Sequence, residues 1–200
     1  MLMLQFGAPY EVIDRLSGER RGSRPMGSIL LLRSFASKKV DRPENETASF
    51  TVNGSLVDIE TTGLPSDSCA EVVTIGFITG NSLRIVQRTR TDTSNQLLDR
   101  LPNLPRPLHA FNKEFEEYFL DRTIETEIQS RRFERRREAI QVAGLSDPFS
   151  GDGSKVVDAW NTYQKTREIS HLKSIMEHNL SCLLTELCLL AVRKTVDSSP

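Results

Sequence analysis

Leu56-Val57-Asp58-Ile59-Glu60-Thr61-Thr62-Gly63-Leu64 is the stretch that decides the fold, because it sets two carboxylates two residues apart in an apolar, β-prone run. Such a run predicts a buried strand. Side chains alternate along a strand, so Asp58 and Glu60 share one face roughly 7 Å apart, while Val57 and Ile59 enter the opposite layer. Like charges held that close need a proton, a cation or a hydrogen-bond donor to compensate them. Oxygen-rich acidic clusters are what Mg2+ or Mn2+ prefer. An edge strand whose two acids face water has the same spacing, so the spacing alone leaves both readings open.

The neighbouring residues predict the sheet around it. Ahead of the acidic strand, Ser49 to Val52 is extended chain broken by Asn53-Gly54, a strong hairpin signal. Behind it, Glu71 to Thr79 reads as a second strand, Gly80-Asn81 as a turn, and Ser82 to Arg88 as a third strand with alternating pattern. Thr93 to Leu101 reads as a helix, Pro102 to Pro107 as a loop, Leu108 to Phe111 as a strand, and Lys113 to Leu120 as a helix that Asn112 caps. Phe111, Phe115, Tyr118 and Phe119 mark the buried face of that helix. Ile124 to Ile128 reads as another strand and Gly144 to Gly153 as a loop, which lacks the Gly-Lys-Ser/Thr of a phosphate-cradling P-loop. Two helices close the chain, one starting at Ser154 with Val156, Val157, Trp160 and Tyr163 at core spacing. The other carries a stripe of Leu172, Ile175, Met176, Leu180, Leu183, Leu184, Leu187 and Leu190. This order predicts an α/β domain with a mixed central sheet flanked by helices.

The string Val57 to Leu64 closely resembles the first motif of the DEDD-type exonucleases of the ribonuclease H-like superfamily, and the likeness extends over residues 48 to 193. It implies a ribonuclease H-like fold in which Asp58 and Glu60 hold Mg2+ or Mn2+. The second motif resembles Asn112-Lys113-Glu114-Phe115-Glu116, with Glu116 where the family has aspartate. That keeps the charge and lengthens the arm by one methylene. An amphipathic helix with acids in its first turn accounts for the same residues. The third motif resembles the kind in which a Tyr or His precedes the last metal-binding aspartate by four residues, one helical turn on the same face. His178 holds the first of these places and Cys182 the second. A thiol is a poor ligand for Mg2+. Three readings follow: Glu186 reaches the metals from a further turn away, Cys182 selects a softer ion such as Mn2+ or Zn2+ with His178 as co-ligand, or the site is weak or dead. Core packing accounts for Cys182 and Cys188 equally well.

The resemblance thus implies a metal-dependent three-prime to five-prime exonuclease-like phosphodiesterase acting on DNA or RNA. Asp58, Glu60 and Glu116 are its metal-binding carboxylates and His178 the group that orients or deprotonates water. The alternative is a module of the same fold that binds nucleic acid without cutting. Arg131, Arg132, Arg135, Arg136 and Arg137, five arginines in seven residues, read either as a phosphate-binding surface for a single-strand end or as a solvated helix face. Thr61, at the end of the acidic strand, joins the expected nucleic-acid contacts.

Charged residues make up 26% of the chain and the formal net charge is −1, so any surface for nucleic acid has to be local. The cysteines Cys69, Cys182 and Cys188 have no metal-ligand spacing among themselves and cannot all pair, which predicts a reducing, cytoplasmic setting. No run approaches the roughly 20 apolar residues of a membrane span. Residues 1 to 46, rich in Gly, Ser, Arg and Pro, read as an appendage, partly disordered, ahead of a domain at 47 to 196; Ile29 to Leu32 is its one apolar run.

Overall fold

The computed structural model describes residues 52–80, 82–128 and 146–197, together with the backbone of two strands, β1 (Val12–Ile13) and β2 (Ile29–Ser34). The acidic stretch lies in β3 (Val52–Thr61), followed by β4 (Val72–Gly80) and β5 (Ser82–Gln87). Then come α1 (Ser94–Leu98), β6 (Leu108–Ala110), α2 (Lys113–Leu120) and β7 (Thr126–Glu127). Two helices, α3 (Ser154–Thr166) and α4 (Ile169–Asp197), complete the described chain.

All seven strands form one mixed sheet in the order β1-β2-β5-β4-β3-β6-β7. The β3, β4 and β5 strands make an antiparallel meander, whereas β6 runs parallel to β3 and β7 parallel to β6. A parallel neighbour needs a crossover, and α1 with its proline loop provides the one between β5 and β6. The apolar run at Ile29 pairs antiparallel with β5, so this part of the N-terminal segment adds a strand to the sheet.

One turn signal behaves differently from its sequence reading. Asn53-Gly54 makes no hairpin; it lies inside β3, where the register slips between Val52 and Ser55. Gly54 adopts φ +93, and a Cβ there would come within 2.0 Å of the Pro107 carbonyl oxygen. The glycine serves a bulge and a close backbone approach rather than a chain reversal. Asn53 supports the arrangement by offering its carbonyl to His109 Nε2 at 2.7 Å.

The alternation in β3 sorts its residues between two cores. Val57 and Ile59 pack with Ile75, Phe77, Val86, Leu97, Leu120 and Ile124, under α1 and α2. Leu56 joins Ile78, Leu83 and Ile85 beneath α3 and α4, with Trp160, Tyr163, Leu172, Ile175 and Leu183. Asp58 and Glu60 share the Leu56 side, so α4 covers them. Trp160 anchors α3 through the Arg88 guanidinium, 5.0 Å from its ring centre, and Tyr163 accepts the Arg90 N–H at 3.4 Å. No described helix is long and apolar enough to cross a membrane.

Candidate metal centre

Two features let α4 approach the acidic strand closely. Its residues His178, Asn179, Cys182 and Leu183 recur at helical spacing, which places them on the side facing the sheet. Opposite Asp58 in the β4 register stands Gly76. A Cβ at Gly76 would meet Asn179 Oδ1 at 2.0 Å and Leu183 Cδ1 at 2.5 Å. Only a residue without a side chain lets Asn179 reach over β4 to the acids.

Asn179 is fully buried, and its Nδ2 donates to Asp58 Oδ2 at 2.8 Å, to the Asp58 carbonyl at 3.3 Å and to Glu60 Oε1 at 3.5 Å. One amide group thus places a donor between the two carboxylates, part of the compensation that two like charges on one strand face require. Asp58 and Glu60 are 2% and 7% exposed, which removes the reading of an edge strand with its acids in water.

His178 lies beside this pair. Its Nε2 is 3.8 Å from Glu60 Oε1 and 3.8 Å from Cys182 Sγ. Its Nδ1 is 2.8 Å from Asp147 Oδ1. A carboxylate only accepts, so Nδ1 carries the proton and Nε2 faces Glu60 and Cys182. The Asp147 oxygens also accept the backbone N–H groups of Phe149 at 2.9 Å and Gly151 at 2.5 Å, which fixes the carboxylate in its loop. The Phe149 ring lies 5.2 Å from the imidazole, tilted against it. Among the described residues, Glu60, His178 and Cys182 form a group whose potential ligand atoms all lie within 4.8 Å of one another.

The structure therefore brings Glu60, His178 and Cys182 together, while Asp58 is joined to Glu60 through the Asn179 amide and lies outside the three-donor group. Glu116 is buried at 2% in the first turn of α2, where Asn112 Oδ1 accepts the Phe115 N–H. Glu116 is not a member of the three-donor group. Glu186 is fully buried on α4 and also outside that group. The Thr61 hydroxyl donates to the Gly63 carbonyl at 2.7 Å, within the turn that ends β3. Arg131, Arg132, Arg135, Arg136 and Arg137 lie outside the described residues. The spacing of the cysteines gave no sign of a metal site, because the partners of Cys182 come from β3 and from its own helix turn.

Sequence reading missed the roles of Asn179 and Asp147. Asn179 follows His178 directly, and an amide on the apolar stripe of a helix is a signal that something polar lies opposite. Asp147 carries the weaker sign of an Asp-Pro turn before Phe149.

The chemistry of the donors decides which cations suit the cluster. Mg2+ takes oxygen ligands in near-ideal octahedral geometry, and the imidazole and thiol edge does not fit it. Mn2+ accepts carboxylate and imidazole, and Zn2+ accepts all three donor types. Fold and site together define a mixed-sheet α/β protein with a buried carboxylate, imidazole and thiol cluster. No family model, no curated protein and no solved structure matches the chain.

Proposed function

We propose that the chain is a ribonuclease H-like domain that hydrolyses phosphodiester bonds in DNA or RNA, working in the manner of an exonuclease with a divalent cation. The observation that carries this reading is the placement of His178 and Asn179 of α4 over Asp58 and Glu60 of β3, a central strand of the sheet. The β5-β4-β3-β6-β7 portion, an antiparallel meander continued by two parallel strands, is compatible with a ribonuclease H-like sheet.

In this reading Asp58 and Glu60, with Glu116 as the third carboxylate, hold the cation. A cation in such a site supplies an activated water and charge stabilisation for the leaving oxygen. Asn179 keeps the two strand carboxylates oriented. His178, with Nδ1–H held by Asp147, keeps Nε2 as the nitrogen that accepts a proton. The Arg131 to Arg137 cluster draws in the phosphate backbone of a single-strand end.

A second reading, a domain that binds nucleic acid without cutting, is favoured by one observation. Cys182 stands beside His178 where the resemblance leads one to expect the last aspartate. End-labelled single-stranded DNA and RNA, incubated with Mn2+ or Mg2+ and the parent, Asp58→Ala or Cys182→Asp chains, separates the two. Cutting by the parent that is lost in Asp58→Ala supports the enzyme. Cutting by Cys182→Asp alone supports the binding module, and no cutting or oligonucleotide binding by any chain refutes both.

A further inference from the structure

We propose that Glu60, His178 and Cys182 form a binding site for a borderline divalent cation of the Zn2+ class, and that Asp147 is its positioning residue. The inference concerns the same cluster as the phosphodiesterase reading but needs no nucleic acid, so either can fail without the other.

The first support is geometric. Tetrahedral Zn2+ with bonds of about 2.0–2.3 Å sets neighbouring nitrogen, oxygen and sulfur ligand atoms about 3.4–3.6 Å apart. His178 Nε2 already lies 3.8 Å from Glu60 Oε1 and 3.8 Å from Cys182 Sγ, so a contraction of a few tenths of an ångström completes those two edges. The remaining edge, between Glu60 and Cys182, lies within 4.8 Å.

The second support is independent of the three ligands. A metal-binding histidine generally donates its other ring N–H to a carboxylate, which fixes ring orientation and tautomer and raises ligand basicity. Asp147 does this at 2.8 Å, with a side chain only 1% exposed and with backbone N–H groups of its own loop holding its oxygens. That leaves Nε2 as the nitrogen without the proton, 3.8 Å from both Glu60 Oε1 and Cys182 Sγ.

The third support is the mixture of donors. Carboxylate, imidazole and thiolate together suit Zn2+ or Co2+ over Mg2+ or Ca2+, which take oxygen. Three protein donors leave a further position for water, the pattern of reactive rather than closed structural zinc sites. The thiol binds as thiolate, so loading the site displaces a proton from Cys182 to solvent.

The full chain, freed of metal, is titrated with Co2+ while the near-ultraviolet thiolate-to-cobalt charge-transfer band is followed. The expected result is a band that saturates at one equivalent, is abolished by Zn2+ and persists in excess Mg2+. Cys182→Ser should abolish it, whereas Cys69→Ser and Cys188→Ser should retain it. Asp147→Asn should weaken binding about 10–100-fold while retaining the band at saturation. As a check that needs no variant, X-ray absorption of the Zn2+-loaded parent should show a sulfur neighbour at about 2.3 Å. Absence of the band in the parent, its survival in Cys182→Ser, or a zinc shell without sulfur overturns the site. An intact cobalt band in a chain that cuts no nucleic acid would leave the site standing and remove the phosphodiesterase reading. Mn2+-dependent cutting without a cobalt band would do the reverse.

Discussion

Replacing Gly76 by alanine tests the closeness of α4 to the acidic strand. The added Cβ would sit 2.0 Å from Asn179 Oδ1 and 2.5 Å from Leu183 Cδ1, both distances far inside ordinary contact. Neither neighbour is the free end of a flexible surface chain. Asn179 is tied to Asp58 and Leu183 is fully buried. Overpacking of this kind costs about 1–3 kcal/mol. Displacing Asn179 also removes a hydrogen bond to a charged acceptor, worth about 1.5–3 kcal/mol. The expected loss is therefore about 2.5–6 kcal/mol, read as a lower urea midpoint at unchanged slope. Gly153→Ala is the control, since its added carbon meets nothing within 4 Å and its φ is −62. It should be neutral or stabilising by a few tenths of a kcal/mol. Shortening Asn179 to alanine in the Gly76→Ala background should cost less than the sum of the single changes, because each relieves part of the other's effect. A Gly76→Ala midpoint equal to that of the parent would refute the packing argument, and strict additivity would refute the part assigned to Asn179.

Trp160→Ala removes the ring that packs 5.7 Å from Tyr163 and under the Arg88 guanidinium, and should cost about 3–5 kcal/mol in the same urea assay. The Leu108 N–H and then Arg106 hold the Glu125 carboxyl below the usual glutamate value. Its contribution is present above the unfolded pKa and disappears as pH falls through the depressed folded value. Glu125→Gln should therefore lower stability at neutral pH and flatten the acid limb of a urea-midpoint profile against pH. Burial pushes the Cys188 thiol up, Cys182 is buried and Cys69 is exposed. Alkylation near neutral pH followed by intact mass should add one label quickly to the native chain, at Cys69, and three in denaturant. Rapid labelling of Cys182 in the native chain would contradict its burial.

Much of the architecture was legible because it rests on local periodicity. The period of two in Leu56 to Glu60 separated Val57 and Ile59 from Asp58 and Glu60, and the structure puts Val57 and Ile59 in one core and Leu56, on the acids' side, in the other. Asn112 marked the start of α2, although Tyr118 of its aromatic stripe is 60% exposed rather than buried, and the leucine stripe from Leu172 marked the covered face of α4. Where a signal was local but its use was not, reading failed. Asn53-Gly54 has the composition of a hairpin, yet the approach of Pro107 and the pairing with β4 make it a bulge within one strand.

The sequence by itself determined the strand face on which the acids lie and the helical turn that joins His178 to Cys182, since both follow from the repeat of a single element. Tertiary structure decided what those groups meet. Asn179 is 121 residues from Asp58, and His178 is 31 from Asp147. Neither contact has a local pattern, because side chains that far apart are brought together only by the packing of α4 across the sheet, and that packing depends on a glycine in a neighbouring strand.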